Sequence, residues 1–456
     1  MSFELIVVCD QNYGIGFEGK LPWRCVDELN LFKNKTLDSI LIMGRKTVQN
    51  LPKLSRRMIV CLSKNFDKDT IQTDNNDCLF SSTFTHARQL VESHTRLFPT
   101  KVFIAGGGQI YREALLRGLV SKIHMSVMKS VYICDTFFPA DKLLDFIIEE
   151  ETDYPEFVHR VFRRINIESN GERQYLNLLI KTLNGTDRNG RNGMTRSIFG
   201  ENLNFDLRQG FPLLTTKKMF FRGIVEELLF FIRGCTDSNL LEEKGVNIWK
   251  LNTDRKFLDS LGMTQRRPGV MGTLYGYQWR FFNAPYDEDT AQPKSAGIDQ
   301  LKMVVDTIRN DPHSRRIIMT DYNPCQASQG VLYPCHSLMI QFYVDGTYLD
   351  MFCYNRSQDL FLGTPFNIAS SALLLTLIAR ITNLSPRWLK MSLGDVHIYE
   401  QHLDVVQGQL DRLPYTFPKL VVKEMKEIAD IENATFDDFI LAGYVSHPTI
   451  KAEMVA

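Results

Sequence analysis

The chain is short of most features that sort proteins quickly. Its nine cysteines, at 9, 25, 61, 78, 134, 235, 325, 335 and 353, include no CxxC pair and no zinc-type spacing. Neither a metal ribbon nor a disulfide framework is expected, and the odd, scattered thiols fit a reducing compartment. Formal net charge is +0, from 53 basic and 53 acidic residues, so the bulk charge of a nucleic-acid binder is missing and only local patches remain open. No unbroken apolar run reaches the roughly 18 residues of a membrane span, and Met1-Ser2-Phe3-Glu4 lacks the basic start of a leader. Internal repeats and low-complexity tracts are absent too. These gaps predict a soluble protein, cytoplasmic or otherwise intracellular, with no membrane, structural metal or obligatory nucleic acid.

What is present is ordinary globular material: 456 residues, 44% apolar and 23% charged, enough for two or three domains. Phe3–Cys9 is a buried-strand run, and residues 27–36 form a helical stretch. Short apolar runs follow at 41–43, 58–62, 102–105 and 123–128, separated by helical or loop segments. This alternation predicts an α/β domain with a mostly parallel sheet. Runs at 146–151 and 157–165 add an antiparallel edge pair. The polar stretch 166–173 is the best boundary, giving a first domain at 1–166, a short linker at 167–173 and a second domain at 174–456. In the second, helices are expected at 175–183, 223–232, 301–309 and 366–381, the last hydrophobic nearly all round. Strands are expected at 199–207, 211–214, 317–322 and up to 399, which predicts an α+β domain.

Several residues stand out for chemistry. Gly106-Gly107-Gly108 lies between a strand and the helix-like QIYREALL; it reads either as a tight turn or as a cradle for a pyrophosphate. Glu28 follows Leu21-Pro22-Trp23 and reads either as a solvated first-turn acid or as a carboxyl of raised pKa in an apolar pocket. Glu226 and Glu227 on an apolar helix each need a partner or a task. Arg315-Arg316 suits a phosphate or an exposed ion pair. Residues 332–367 read as a buried hairpin turning at Asp345-Gly346-Thr347, with Cys335 near its start and Asn355-Arg356-Ser357 near its end. A buried structural cysteine is the plainer reading. A thiolate favoured by Arg356 is the sharper one. His336, the next residue of the expected strand, is poorly placed as its base, because neighbours on a strand point to opposite faces.

The order GIGFEGKLPW, DELNLFKNKT, IMGRKT, RRMIVCLS, VFIAGGGQIYREAL, DTFFP resembles the dihydrofolate reductase family across residues 3 to about 165. FPLLTTKK, VEELLFFIRG, NIWK, LYGYQWR, DPHSRRII, YPCHSLMIQFYV, NRSQDLFLGTPFNIAS and GDVHIYEQH resemble thymidylate synthase over the remainder. The whole is similar to the family that carries both on one polypeptide. For the first domain the resemblance implies that Glu28 holds the pterin of dihydrofolate and supports its protonation, with Phe32 packing on the ring and Arg57 taking the glutamate carboxylate. NADPH would lie along Gly16, Gly44, Arg45, Lys46, Thr47, Ser63, Lys64, Gly106, Gly107, Gly108, Gln109, Ile110 and Tyr111; a guanidinium suits its 2′-phosphate better than it suits NADH.

For the second domain it implies that the Cys335 thiolate adds to C6 of dUMP. C5 then takes the one-carbon unit of 5,10-methylenetetrahydrofolate, giving dTMP and dihydrofolate. Glu227 would manage protons through water, Tyr275 would assist loss of the C5 proton, and His336 would sit in the water network. Arg356 and Ser357 would hold phosphate together with Arg188 or Arg191, the run DRNGRNGMTRS leaving both open. Arg315 and Arg316 would reach the phosphate of a partner subunit, making a homodimer. Asn367 would read uracil, while His397 and Tyr399 bind the ribose. Trp249, Asn252, Asp359 and Ala456 would face the folate. Departures include Val48, Arg56 and Cys134 in the first domain, and Phe282-Asn283, Asn355 and Ala452 in the second; none removes a reacting group. A dCMP hydroxymethylase is the nearest rival, disfavoured by Asn367, and a non-catalytic binding protein is the next.

Overall fold

The computed structural model describes residues 2–63, 78–95, 101–165, 170–190 and 192–455. Lys64, Arg191 and Ala456, together with residues 166–169 of the expected linker, lie outside these. Two compact units emerge, Met1–Asn166 and Ile167–Ala456.

The first unit is built on an eight-stranded sheet. Its order is Cys78–Ser81, Arg57–Leu62, Ser39–Gly44, Val102–Ile104, Phe3–Cys9, Val120–Met128, Phe157–Arg164, Phe146–Asp153. The first six strands run parallel and the last two join antiparallel. Continuous apolar runs such as SILIMG are what a parallel strand covered on both faces needs, and only Gly44 of that strand is not buried. On one face Ile6, Leu41, Met43, Val48, Ile59, Cys61 and Phe103 pack together with Phe32 against them. Gly44, Ser63 and the Gly106–Gly108 turn all stand just past the carboxyl ends of parallel strands, where open α/β sheets bind ligands. The strand Cys78–Ser81 and the helix Phe84–Thr95 have too weak a sequence pattern to have been expected.

The second unit centres on a six-stranded mixed sheet: Thr186–Gly190, Gly193–Asp206, Ser385–Tyr399, Tyr348–Asp359, Met339–Asp345, Ile318–Thr320. One face carries the helix Gly363–Ile381, whose 19 residues are long and apolar enough, by length and composition, to cross a membrane, with a mean hydropathy of 1.4. Polar positions such as Asn367 and Arg380 interrupt its apolar run. Most of it is buried in this unit's core beside the apolar helix Phe221–Ile232. The opposite face leaves Ile318, Tyr343 and Phe352 exposed. Register places Ile318 across from Gln341 and Gln341 across from Phe352, so these side chains share that face.

Three expectations need correcting. Residues 171–173 are the buried first turn of the helix Gly171–Leu183. Asn170 caps it by accepting from the Arg173 N–H at 2.9 Å, a cap worth ~1 kcal/mol. Glu172 is buried because the N–H and hydroxyl groups of Thr215 and Thr216 all donate to its carboxylate. Residues 211–214 form no strand; Phe211 donates to the Pro418 carbonyl and Leu213 to Phe211. Finally, the strand after Leu332 begins only at Met339, so Cys335 and His336 sit in a loop.

Candidate active sites

In the first unit, the helix Val26–Thr36 turns Glu28 inward, leaving it 6% exposed while Asp27 stays at the surface. Burial pushes the Glu28 carboxyl up to about 7, and a hydrogen bond from Ser126 works against that rise. The apolar-pocket reading holds. Behind it, Ser126 contacts His159 Nδ1 at 3.3 Å, and burial lowers that imidazole to about 4, keeping it neutral. One helical turn on, Thr36 Oγ1 donates to the Phe32 carbonyl at 2.7 Å and accepts from Arg57 Nη1 at 3.3 Å. Arg57 also donates to Ser55 O, so the three expected dihydrofolate contacts sit around one helix.

The glycine turn packs against the start of the short helix Arg45–Gln49. Gly44 N–H donates to Gly106 O at 2.8 Å. A Cβ on Gly106, where φ is +130°, would meet Thr47 Cγ2 at 3.2 Å; one on Gly44 would meet Ile110 Cγ1 at 3.0 Å. A backbone this bare, ending at the N-terminus of the helix Gly108–Leu116, fits a pyrophosphate better than a plain turn requires. Arg45 and Lys46 on the neighbouring helix bring positive charge. Gly16 lies on a short strand, Gly14–Gly16, paired with Thr136–Phe137, and a Cβ on Gly108 would meet Phe137 O at 3.0 Å. Gln109 and Ile110 are in the first turn of the helix after the glycines, and Ser63 N–H bonds Ser81 O. The Tyr111 side chain is buried and its hydroxyl donates to Ile6 O at 2.8 Å, so it is the main chain of Tyr111 that lies beside the glycines.

In the second unit, Cys335 Sγ lies 3.5 Å from the hydroxyl of Tyr275. Tyr275 is held at φ +39°, a strained backbone for a bulky residue. His336 stacks on its ring at 4.2 Å. The strand-alternation argument against His336 does not apply to a loop; burial instead lowers its imidazole to about 4, which makes it a poor proton acceptor. Burial also pushes the Cys335 thiol up, with the Tyr275 hydroxyl and then Arg356 acting against it. Arg356 favours the thiolate as expected but does not outweigh burial here. Its guanidinium clamps the loop, Nε donating to Pro334 O at 2.6 Å and Nη2 to Tyr333 O at 2.9 Å. Arg356 and Ser357 N–H groups both reach Cys335 O.

The two glutamates on the apolar helix resolve differently. Glu226 is paired with Lys244 at 2.6 Å. Glu227 accepts from the Trp249 indole N–H at 2.7 Å, and burial lifts its carboxyl to about 7. Trp249 contacts Tyr275 with centroids 6.0 Å apart, which joins the acid to the thiol cluster. Asn252 is buried one turn beyond Trp249.

Asn367 donates to Gln358 Oε1 at 3.1 Å, and Thr364 donates to the same oxygen at 3.0 Å, fixing the amide. His397 is held by Asp395 at 2.8 Å and meets Tyr399 edge-on at 5.2 Å. Arg188 reaches Asp395 at 3.9 Å; its segment is an exposed strand of a hairpin rather than a loop. Strand pairing sets Ser357 beside Asp395 and Asp359 beside His397. Asp359 also accepts from the Phe361 and Leu362 N–H groups at the start of the core helix. Arg315 and Arg316 are exposed and form no ion pair among the described residues. Sequence reasoning missed Gln358 and Asp395. The second was findable, two residues before His397 on the same strand face.

These geometries define a chain of two units, one with a buried acid of raised pKa and a bare glycine turn, and one with a thiol clustered with a tyrosine, a histidine and an arginine. The dihydrofolate reductase family model matches residues 2–161 and the thymidylate synthase model residues 173–456. The chain is 36% identical to a bifunctional dihydrofolate reductase-thymidylate synthase of Paramecium tetraurelia, over 99% of this chain and 98% of that one. It is 37% identical to the one of Daucus carota and 35% to that of Leishmania major, each over 99% of this chain and 96% and 95% of theirs. The chain belongs to the bifunctional dihydrofolate reductase-thymidylate synthase family.

Proposed function

We propose that the second unit converts dUMP to dTMP with 5,10-methylenetetrahydrofolate and that the first unit reduces the dihydrofolate so formed with NADPH. The observation that carries the reading is the pair of carboxyls at about 7, one in the unit that also bears the bare glycine turn and one wired through Trp249 and Tyr275 to Cys335. A carboxyl near 7 both holds and yields a proton at neutral pH.

Cys335 is the nucleophile, and its thiolate adds to C6 of the pyrimidine. Tyr275 donates to that sulfur and stands ready to assist loss of the C5 proton. Arg356, Ser357 and Arg188 take the phosphate, His397 and Tyr399 the ribose, and Trp249, Asn252 and Asp359 face the folate. Gln358 holds Asn367 so that its remaining N–H donor and its carbonyl acceptor match O4 and N3–H of uracil respectively. In the first unit Glu28 keeps a proton for the pterin, Phe32 packs on it, and Arg57 takes the carboxylate. The cradle of Gly44, Arg45, Thr47 and Gly106–Gly108 would hold NADPH, which supplies the hydride when bound.

The unit is a homodimer in this reading, joined through the open face bearing Ile318, Tyr343 and Phe352, from which the unpaired Arg315 and Arg316 would extend to the other copy. Nine unbridged cysteines support an intracellular setting. The test is the coupled assay: dUMP and methylenetetrahydrofolate with NADPH present, scoring dTMP and tetrahydrofolate separately. Absence of either product from purified chain refutes the corresponding half. Mixed dimers of Cys335→Ala and Arg315→Ala chains should regain part of the synthase activity; no rescue in confirmed mixed dimers refutes the shared site.

A further inference from the structure

Asp321 has no part in the reactions above, yet it is one of the most confined charges in the molecule. It is 1% exposed, and neither carboxylate oxygen has a hydrogen-bond partner among the described residues. An unpartnered buried carboxyl costs several kcal/mol if ionised, so a chain that keeps one needs an opposing reason.

Its neighbours say where it points. Asp321 follows the strand Ile318–Thr320, whose last residue pairs with Met339. Thr320 Oγ1 donates to Leu338 O at 2.5 Å, and Tyr322 meets the Tyr333 hydroxyl at 3.1 Å. The residues on both sides of Asp321 therefore clamp the two ends of the loop 333–338 that carries Cys335. Across that loop, Arg356 lies over the Tyr333 ring at 5.5 Å and bonds Pro334 O. The charged and titratable groups that Asp321 interacts with electrostatically are Arg356 from the strand Tyr348–Asp359, Cys335 from the loop, and Tyr275 from the segment before the helix Gly276–Phe281. Burial holds the Asp321 acid well above the usual carboxylate range, and the Arg356 charge offsets that only in part. A charge on Asp321 in turn raises both the thiol and the phenol.

We propose that Asp321 is a positioning residue for the Cys335 thiol: carboxyl and thiol compete for one negative charge opposite Arg356, so Cys335 ionises readily while Asp321 holds its proton and less readily once Asp321 has lost it. One cation faces two acids in a buried site, and two like charges cannot both form there cheaply. The pair then titrates in two macroscopic steps that belong to neither residue alone. Asp321 thereby sets the pH range in which the nucleophile is ready. This rests on Cys335 being the nucleophile, but its test reads the thiol directly and needs no turnover.

The experiment uses the full chain without nucleotide. Iodoacetamide alkylation of Cys335 is followed across pH by mass spectrometry of the peptide that contains it. In the native chain the rate should rise in two resolved steps. In Asp321→Asn it should rise in one, and between the two native steps it should be about tenfold faster, the size of a one-unit change in thiol ionisation. Asp321→Ala should behave like Asp321→Asn, since both remove the charge while differing in volume. Superimposable native and Asp321→Asn profiles overturn the proposal. Alkylation of the buried Cys353 reports unfolding. If both variants unfold, the native profile alone decides, because a single-step rise overturns the shared charge. Loss of dTMP formation with the two-step profile intact would instead count against the nucleophile assignment.

Discussion

Glu28 and Glu227 are both lifted to about 7, and burial is the main cause each time. Their surroundings nevertheless differ in kind. Glu28 is opposed by a single hydroxyl, Ser126. Glu227 is gripped by an indole N–H within a web of rings, Trp249, Tyr275, Phe231 and His336. A hydroxyl can rotate to serve either protonation state, whereas an indole N–H can only donate. The first site is thus built to pass a proton at a fixed point. The second is built to keep several groups in register while the proton moves, as an exchange among thiol, water and substrate requires. Mutations should separate the two.

The largest expected effect is Cys335→Ala. Synthase activity should fall on the order of 10⁴-fold or more, the scale on which loss of a nucleophile acts. NADPH oxidation by added dihydrofolate should stay at the native rate. Full dTMP formation by this variant would remove the contrast at its root.

Next is Glu28→Gln. Reductase turnover near neutral pH should drop about 10²- to 10⁴-fold, the usual contribution of a positioned proton donor, and dTMP formation with supplied methylenetetrahydrofolate should not change. Assaying both reactions on one preparation checks this. Equal losses in both would mean that the substitution has damaged the fold.

The same substitution has a smaller effect on stability, with a definite sign. The folded chain holds the Glu28 proton up to about 7, while the unfolded chain gives it up near the ordinary glutamate value of 4.5. Between those values the folded state binds the extra proton, so this group's contribution is fully present below about 4.5 and is lost as pH rises through 7. Glutamine imitates the protonated acid and has no such loss. Glu28→Gln should therefore match the native first unit at about pH 3.5 and exceed it at pH 8 by up to about 3 kcal/mol. Urea unfolding followed by tryptophan fluorescence at both pH values measures this; a native advantage at pH 8 would contradict it.

Much of the frame behind this comparison is legible from residue order, and the failures have physical causes. Phe3–Cys9, the helix beginning near Asp27 and the core helix near Gly363 declare themselves because burial on both faces, or one face per turn, leaves a period in the sequence. The Cys335 loop does not. Its apolar residues continue the strand pattern, yet Pro334 lacks an N–H, Ser337 takes φ +54°, and Arg356 claims the carbonyls of Tyr333 and Pro334. A side chain from 22 and 23 residues away thus replaces the ladder, and no local pattern encodes that. Glu172 is hidden for the same reason: its partners are Thr215 and Thr216. Single charged residues are assigned to the surface by default, which is why Asp321 and Asp395 escaped attention. The neighbours Leu21-Pro22-Trp23 leave Glu28 open between a surface acid and a pocket acid, and only the order of motifs along the first domain assigns it a role.

The smallest expected effect tests the second half of the comparison. Trp249→Phe keeps the ring against Tyr275 and Phe231 but deletes the N–H that donates to Glu227. That hydrogen bond holds the Glu227 acid down against burial, so its loss should move the carboxyl higher still, by less than about one unit for one neutral donor. The alkaline limb that Glu227 controls in C5 proton exchange, read as tritium release from 5-labelled dUMP, should shift upward with little change in its plateau. A plateau that collapses without a shift would mean that Trp249 serves by packing alone. The second site would then be organised like the first, around an acid shifted by burial with no directional donor to guide it.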